Sequence, residues 1–385
     1  MLGAVSVVAV AAMLAGCGGG DSSTTATGGA GTSATGTQNA ALDEARTSLD
    51  QLRAPVQFKA PGPAFDAGGL TGKTVYAIVP GLSFPFVQSV VQGEKEAAEA
   101  LGMNLVAVDS RGQVGTASGL IDQAVSRKAA AIILQSVPAE ALAAPLKEAA
   151  RAGIPIIELT ARDPQAPPAS LEQLGIKGIV SFCYTCAARQ MASVVATDSG
   201  GKANTVLVGS PDLATTGPML KAFTEEYTRL CPGCKLATKQ VQLVQWNTQL
   251  PSLTSSVLKS DPDVNYMVPL YDAMEPSMAP SVARTGKAGN VKFVSYNATL
   301  PVMQALKRKD MVLADIGSPL VWLGWGAIDQ TARILSGKPP VESENLPNRL
   351  FDASNIDSLD LSKPEEAWYG PADFRTEYKK LWGQN

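Results

Sequence analysis

From Gly72 onward, short apolar segments alternate with amphipathic helical segments, and this alternation restricts the chain to one class of fold. The first apolar segment runs from Thr74 to Val79, and a helical pattern from Phe86 to Leu101 follows it. Because polar and apolar residues do not alternate within the apolar segments, both faces of each predicted strand are expected to be buried. The sequence therefore predicts an α/β fold of doubly wound parallel sheets.

A Pro-rich break at Pro164, Pro167 and Pro168 divides this alternation in two, and predicted strands and helices resume after it. Each half is predicted to form its own sheet. Ligands of doubly wound sheets bind at the carboxyl ends of the strands. Two such sheets facing each other would form one cleft between two lobes, a frequent place for a small-molecule site.

The first 38 residues differ from the rest of the chain in composition. Residues 2–16 are apolar and small, too short a run to span a membrane and typical of a signal peptide at 1–16. The run ends in Leu14-Ala15-Gly16-Cys17, which resembles a bacterial lipobox and implies cleavage before Cys17 and lipidation of that residue. Residues 17–38 then predict a flexible tether. We expect an extracytoplasmic protein, anchored by lipid to the cell membrane at the cell surface or in the periplasm. An ordinary signal peptide with a chance cysteine is the alternative.

Composition excludes several classes of function. Only 17% of the residues are charged and the formal net charge is -3, so the chain lacks the basic face that a nucleic-acid partner would need. The chain contains no histidine, which removes the commonest general base and His-ligated metal sites. We therefore expect no catalytic residues, no metal and no cofactor.

Short motifs lie on the predicted elements in a recognisable order. They are Ser83-Phe84-Pro85-Phe86 after the first strand, Gln92-Gly93-Glu94 in the helix that follows, and then Gln245-Trp246-Asn247, Tyr271-Asp272-Ala273-Met274 and Ser295-Tyr296-Asn297-Ala298-Thr299. Over about Lys73 to Lys338, this set resembles the ribose- and galactose-binding proteins, the type I sugar-binding family of ABC importers. The resemblance implies a solute-binding protein that delivers a small molecule to an ABC permease in the membrane. We expect it to act as a monomer.

The resemblance also implies how the chain is divided between the lobes. It places residues 72–161 and 297–336 in an N-terminal lobe, and residues 162–296 and 337–350 in a C-terminal lobe. An N-terminal helix and extended connector occupy residues 39–71, and a C-terminal tail occupies 351–385. Three crossings between the lobes would act as a hinge that closes on the ligand.

Carrying the family positions over residue by residue gives a set of candidate ligand-binding residues. They are Phe84, Phe86, Thr160, Trp246, Tyr271, Asp272, Asn297 and Ser318. Phe86 and Trp246 fall on the stacking positions, where aromatic faces cover the C–H faces of a sugar ring, and we expect them to face each other across the cleft. Phe84, Thr160 and Asn297 replace family residues that bind sugar hydroxyls. A cyclic ligand with an apolar body and few hydroxyls fits these replacements better than ribose or an unmodified hexose.

Four further cysteines form two C-x-x-C pairs, Cys183/Cys186 and Cys231/Cys234. Two such pairs can bind zinc. However, a predicted helix from Leu213 to Leu230 would span roughly 25 Å and carry the second pair to the far end of its lobe. We favour two local disulfides, which an oxidising compartment permits. Free buried thiols and a redox-active pair are the alternatives.

Three classes of function are compatible with these features. A solute-binding component of an ABC importer, capturing a small cyclic molecule between the lobes, is favoured. A sensory receptor of the same fold that signals to a membrane partner is the second interpretation. A secreted enzyme is the third, and the absence of histidine weighs against it.

Overall fold

The computed structural model describes residues 31–384, so the predicted signal peptide and the lipidation site Cys17 lie outside the described residues. The first helix, α1 (Gly31–Leu52), begins within the stretch that we expected to be a tether. Within residues 31–384, no helix is both long enough and apolar enough to cross a membrane.

The first sheet contains five parallel strands in the order β2-β1-β3-β4-β5. These strands are β1 (Thr74–Val79), β2 (Asn104–Asp109), β3 (Ala131–Gln135), β4 (Ile156–Leu159) and β5 (Ile176–Val180). The helices between them are α2 (Pro85–Ala100), α3 (Val114–Ser126), α4 (Ala143–Arg151) and α5 (Ala169–Glu172). Every residue of β3 and β4 is buried, as expected for strands covered on both faces.

The second sheet contains six strands in the order β11-β10-β9-β8-β6-β7, and only β11 runs antiparallel to its neighbour. These strands are β6 (Asn204–Gly209), β7 (Lys235–Gln240), β8 (Tyr266–Pro269), β9 (Lys292–Asn297), β10 (Val312–Gly317) and β11 (Arg349–Asp352). The helices from residue 184 onward are α6 (Tyr184–Ser199), α7 (Thr216–Leu230), α8 (Trp246–Ser260), α9 (Glu275–Arg284), α10 (Leu300–Lys307), α11 (Leu320–Leu335) and α12 (Phe374–Leu381). The predicted α/β fold with two doubly wound sheets is confirmed.

The lobe boundaries differ from those that we predicted. We expected the chain to leave the first lobe at Arg162, but β5 pairs in parallel with β4, so the first sheet continues to Val180. We also expected residues 297–336 in the first lobe, but β10 pairs with β9 in the second sheet. A buried apolar strand can join the edge of either sheet, so its residue pattern does not indicate which one it chooses.

Helix α11 returns to the first lobe and packs directly along α2. A Cβ atom on Gly93 would lie 2.0 Å from the carbonyl oxygen of Val321, and a Cβ on Gly324 would lie 2.3 Å from that of Val90. Because neither position has room for a side chain, the two glycines allow the helix backbones to approach closely. This contact fixes α11, and the crossing that precedes it, to the first lobe.

The first and last described segments pack against this framework, so the residues from 351 to 384 are not the simple tail that we expected. Phe374 of α12 stacks on Trp322 of α11 with ring centroids 5.1 Å apart, and Trp382 stacks on Trp325 at 5.3 Å. At the other terminus, Leu42 and Ala45 of α1 pack in a cluster with Ala196, Leu230 and Cys231 of the second lobe. These aromatic and aliphatic side chains make both terminal segments part of the packed structure.

Candidate ligand-binding site

A cavity lies between the lobes, where the strands of both sheets end. Fifteen residues line it: Pro80, Phe84, Phe86, Val87, Ser136, Thr160, Tyr184, Leu213, Ala214, Thr215, Leu243, Trp246, Tyr271, Ala273 and Asn297. The centre of a water molecule can occupy about 60 Å³ of this cavity. Adding the 1.4 Å radius of water around that space gives at least roughly 230 Å³, enough for one compact ring.

The ends of parallel strands bring the lining residues together. In the first lobe, Ser136 and Thr160 directly follow β3 and β4. In the second lobe, Asn297 is the last residue of β9 and Tyr271 follows β8. Parallel sheets present such residues at one edge, and two of these edges meet here, as the sequence predicts for a doubly wound fold.

Trp246 forms the centre of an aromatic wall. Its ring stacks on Tyr271 with centroids 6.0 Å apart and an interplanar angle of 21°. Its Nε1 donates to Ser210 Oγ and to the carbonyl oxygen of Val241, both at 3.2 Å. Trp246 begins α8 rather than ending a strand, because β7 stops at Gln240. The indole is therefore held from two sides before any ligand binds.

The aromatic contact across the cleft is made by a different residue from the one we predicted. The ring of Phe84, from the first lobe, lies 6.1 Å from that of Trp246 at 63°. We expected Phe86 to face Trp246, and Phe86 lines the same cavity. Phe84 is the residue immediately before α2, which starts at Pro85, and its backbone is extended.

Hydroxyl pairs supply much of the polarity in the cavity. Thr160 Oγ1 donates to the carbonyl oxygen of Leu159 and lies 2.7 Å from Ser136 Oγ, so Ser136 is the donor in that pair. The Tyr271 hydroxyl lies 2.7 Å from Thr215 Oγ1 and 2.9 Å from Thr216 Oγ1. Burial raises the pKa of Tyr271 to about 12 although these two hydrogen bonds oppose the shift. The phenol therefore stays neutral.

Asn297 presents an unsatisfied group in the wall of the cavity. Its Oδ1 is buried without a hydrogen-bond donor among the described residues. Its φ of 128° is a strained value for a residue other than glycine, as is often found at binding sites. A ligand that donates a hydrogen bond to this oxygen would satisfy it.

Asp272 lies behind this wall and does not line the cavity. Its Oδ2 accepts from the backbone N and from Oγ1 of Thr299, both at 2.6 Å. Nearby, Asp315 accepts from Ser295 Oγ at 2.5 Å and from the backbone N of Ala298 at 2.7 Å. Burial raises the pKa of Asp272 to about 6 and that of Asp315 to about 8, and the charge of Asp272 contributes to the second shift. Both carboxyl groups hold the turn that carries Asn297.

Ser318 is likewise fully buried outside the cavity, where the chain crosses back to the first lobe before α11. Its Oγ donates to Asn348 Oδ1 at 2.8 Å and lies 2.7 Å from the hydroxyl of Tyr296, which must therefore be the donor. The structure thus places six of the eight predicted residues at the cavity, and Asp272 and Ser318 behind it.

Sequence reasoning missed Tyr184, which lines the cavity as the first residue of α6. Burial raises the pKa of its hydroxyl well above the ordinary value, the nearby Tyr271 raises it further, and the Thr160 side chain opposes the shift. The signal was present, because Tyr184 lies between Cys183 and Cys186 just after a predicted strand, but we considered that motif only for the chemistry of its thiols.

The cysteines are joined within each pair, Cys183 to Cys186 and Cys231 to Cys234. Cys183 immediately precedes α6, whereas Cys231 packs against Ala196 near the other end of that helix. A helix of this length spans roughly 24 Å, which is too far for both pairs to bind one zinc ion. In residues 31–384, no group of three or more His, Cys, Asp or Glu side chains is arranged to hold a metal ion.

None of the fifteen lining residues, all within the described part of the chain, carries a charged side chain. A charged ligand would lose its hydration here without a counter-charge, at a cost of several kcal/mol. Aromatic rings, aliphatic groups and a few hydroxyl and amide groups can instead hold a neutral ring by its faces and part of its edge.

Comparison with known proteins gives matches that cover most of the chain. A family model described as periplasmic binding protein domain matches residues 75–339. The D-apiose import binding protein of Paraburkholderia graminis is 27% identical over 291 residues, which cover 74% of this chain and 88% of that protein.

Solved structures with the same fold include two with stated ligands. The solute-binding protein of the 5-methylthioribose transporter from Thermotoga lettingae, in complex with 5-methylthioribose, aligns with a TM-score of 0.71 at 16% identity, over 82% of this chain and 98% of that one. An ABC transporter solute-binding protein from Agrobacterium vitis, bound to α-D-tagatopyranose, aligns with a TM-score of 0.67 at 19% identity, over 78% of this chain and 100% of that one.

Proposed function

The chain belongs to the periplasmic binding protein domain family, and on that premise we propose that it is the solute-binding component of an ABC importer for one compact, uncharged cyclic molecule. The solute would bind in the cavity between the lobes, and the crossings between the lobes would act as a hinge that closes on it. The closed form would then deliver the solute to a permease in the membrane.

The composition of the cavity wall is the observation that supports this ligand class. Aromatic rings from both lobes line it, namely Phe84, Phe86, Trp246, Tyr184 and Tyr271. The polar side chains are hydroxyls and one amide, at Ser136, Thr160, Thr215 and Asn297. Most of these hydroxyls already bond to one another, so few hydrogen-bonding positions remain for a ligand. We therefore propose a ring with an apolar face or substituent and few hydroxyls.

The relatives suggest specific probes of this class. One relative is named for import of D-apiose and one structural neighbour holds 5-methylthioribose. The methylthio group of 5-methylthioribose would suit an aromatic wall, because sulfur makes favourable contacts with ring edges of about 0.3–1.5 kcal/mol. D-Ribose carries a hydroxyl in place of that group and is the matched control compound.

Tryptophan fluorescence and thermal-shift titrations with 5-methylthioribose, D-apiose, D-ribose, D-glucose and a nucleoside would test this proposal, with an aromatic acid as a charged control that should not bind. We expect uncharged rings with few hydroxyls to bind more tightly than D-ribose and D-glucose. Micromolar or tighter affinity for an unmodified hexose, with 5-methylthioribose and the nucleoside inert, would refute the proposed ligand class.

We also propose that lipidation of Cys17 anchors a monomeric protein outside the cytoplasm and that the protein does not transform its ligand. Recovery of the bound compound unchanged, by mass spectrometry after prolonged incubation, would support binding without catalysis. Import that fails when the chain is deleted would favour transport, whereas normal import with a lost transcriptional response would favour the sensory alternative.

A further inference from the structure

We infer that Tyr184 determines which ligands the cavity accepts, and that the Cys183–Cys186 disulfide together with Asp163 positions it. This inference rests on the cavity being the solute site proposed above. The inference gives the Cys183–Cys186 disulfide a role in ligand recognition. The other disulfide, Cys231–Cys234, lies near the far end of α6, the helix that Tyr184 begins.

Tyr184 occupies the floor of the cavity, where the two lobes meet. Its side chain is only 3% exposed, and its ring lies edge to face against Tyr296 with centroids 5.5 Å apart. It lines the cavity together with Thr160 from the first lobe and Tyr271 from the second. A ligand in the cavity would therefore meet the Tyr184 phenol between side chains of both lobes.

The first turn of α6 is tied to the first lobe through Asp163. The carboxylate accepts from the backbone N of Tyr184 at 2.7 Å and from that of Thr185 at 3.2 Å, and the Thr185 hydroxyl also donates to it. Backbone N–H groups at the start of a helix have no partner within the helix and attract negative charge. Asp163 thus fixes the position of the Tyr184 backbone.

The disulfide closes the same turn on itself. Cys183 precedes the helix, Cys186 lies within it, and the backbone N of Cys186 donates to Cys183 Sγ at 3.2 Å. Tyr184 lies inside this loop of four residues, so its backbone has little freedom to rotate. Without the covalent link, the turn would depend on Asp163 and on its own backbone hydrogen bonds.

The ring on which Tyr184 rests is connected to the crossings between the lobes. Tyr296 donates to Ser318 on the crossing that precedes α11, and Ser318 donates to Asn348, which directly precedes β11. The side-chain nitrogen of Asn348 then donates to Gln190 of α6 at 3.1 Å, which returns to the helix that Tyr184 begins. A displacement of Tyr184 would disturb these contacts, so the selection of ligands and the hinge share one set of side chains.

Two kinds of variant separate recognition from positioning. Tyr184→Phe keeps the ring and removes the hydroxyl, and we expect about a tenfold loss of affinity for 5-methylthioribose with little change in melting temperature. Cys183→Ser/Cys186→Ser keeps the phenol but frees its turn, and we expect the preference for 5-methylthioribose over D-ribose to fall at least threefold. Cys231→Ser/Cys234→Ser is the matched control and should leave that preference unchanged.

A second measurement on the empty protein does not depend on any ligand. Hydroxyl-radical footprinting with mass spectrometry should find Tyr184 protected in the wild type and in the Cys231/Cys234 variant, but reactive in the Cys183/Cys186 variant and in Asp163→Asn. Circular dichroism would verify that each variant is folded.

The outcomes are distinguishable. The inference is overturned if Tyr184 stays protected in the Cys183/Cys186 variant. It is also overturned if that variant keeps the wild-type preference for 5-methylthioribose over D-ribose. A wild type that binds neither sugar nor any other probe would refute the proposed function and the recognition role with it. In that case the footprinting would still decide whether the disulfide and Asp163 position Tyr184.

Discussion

Phe84 of the first lobe meets Trp246 of the second edge to face, with ring centroids 6.1 Å apart and ring planes at 63°. Trp246 is fixed by its stacking on Tyr271 and by the two hydrogen bonds of its Nε1. Phe84 is only partly buried and ends the loop that follows β1. The pair therefore joins a fixed ring to a more exposed one, and the two should respond differently to mutation.

Phe84→Ala should weaken binding of 5-methylthioribose by roughly tenfold or more, because it removes one aromatic face from the cavity. The free energy of unfolding should change little, since Phe84 is partly exposed. Calorimetric titration and urea denaturation of the same preparation would measure the two effects. Equal affinity in variant and wild type would show that Phe84 does not contact the ligand.

Trp246→Ala should weaken binding by at least about a hundredfold, or roughly 2.8 kcal/mol. Because Trp246 is only 5% exposed, this truncation should also lower the free energy of unfolding, by about 3–5 kcal/mol. Trp246→Phe retains an aromatic face and should lose less affinity and less free energy of unfolding than Trp246→Ala. A loss of stability with no loss of affinity would assign Trp246 to the core alone.

Gly93→Ala should destabilise the protein strongly, because its Cβ would lie 2.0 Å from the carbonyl oxygen of Val321 and force α2 away from α11. Gly119→Ala, in the exposed part of α3, meets no atom within 4 Å and should stabilise the protein by about 0.5–1 kcal/mol. Thermal denaturation of the two variants would compare them. Similar melting temperatures would show that α2 and α11 can move apart without a loss of stability.

Glu94 predicts a dependence of stability on pH. It is fully buried, neither carboxylate oxygen has a hydrogen-bond donor among the described residues, and burial raises its pKa from 4.5 to about 8. Between these values the folded protein keeps a proton that the unfolded chain releases. The free energy of unfolding should therefore fall as pH rises through this window, by up to about 1.4 kcal/mol per unit from this group.

Glu94→Gln should remove that contribution, so the variant should lose less stability than the wild type between pH 5 and pH 8. Glu99→Gln, on the exposed face of the same helix, is the control and should retain the wild-type dependence. Urea denaturation at several pH values would give the slopes. Parallel slopes for wild type and Glu94→Gln would mean that Glu94 is ionised in the folded protein.

The predictions from sequence succeeded where local pattern determines the outcome. The apolar runs and helical periodicities located most strands and helices, and the ends of those strands indicated where Thr160, Tyr271 and Asn297 would meet. Membership of a sheet depends on long-range pairing, so the pattern could not show that β5 belongs to the first sheet. The sequence also does not show whether a side chain reaches the cavity or lies behind its wall, which is why Asp272 and Ser318 were predicted to contact the ligand.

Cys17→Ala should move the protein from the membrane fraction to the soluble fraction, because the lipobox resemblance makes Cys17 the site of lipidation. Cell fractionation followed by immunoblotting would measure the distribution, with Cys183→Ser/Cys186→Ser as a control that should remain in the membrane fraction. Unchanged membrane association of the Cys17 variant would contradict the predicted anchor.

Asn297→Asp tests why an amide occupies this position of the cavity. The substitution keeps the shape of the side chain and places a second non-glycine residue at the same φ of 128°, so it changes mainly the charge. The new carboxyl group would be buried beside Asp272 and Asp315, and both burial and the neighbouring charges should raise its pKa. The free energy of unfolding should then fall as pH rises above about 4, since the folded form would retain a proton that the unfolded chain releases.

Binding of 5-methylthioribose to Asn297→Asp should be at least tenfold weaker than in the wild type at pH 8 and partly recover at pH 5. The exposed Asn290→Asp should show neither effect, and equal affinity of Asn297→Asp and wild type at pH 8 would place Asn297 outside the ligand contact.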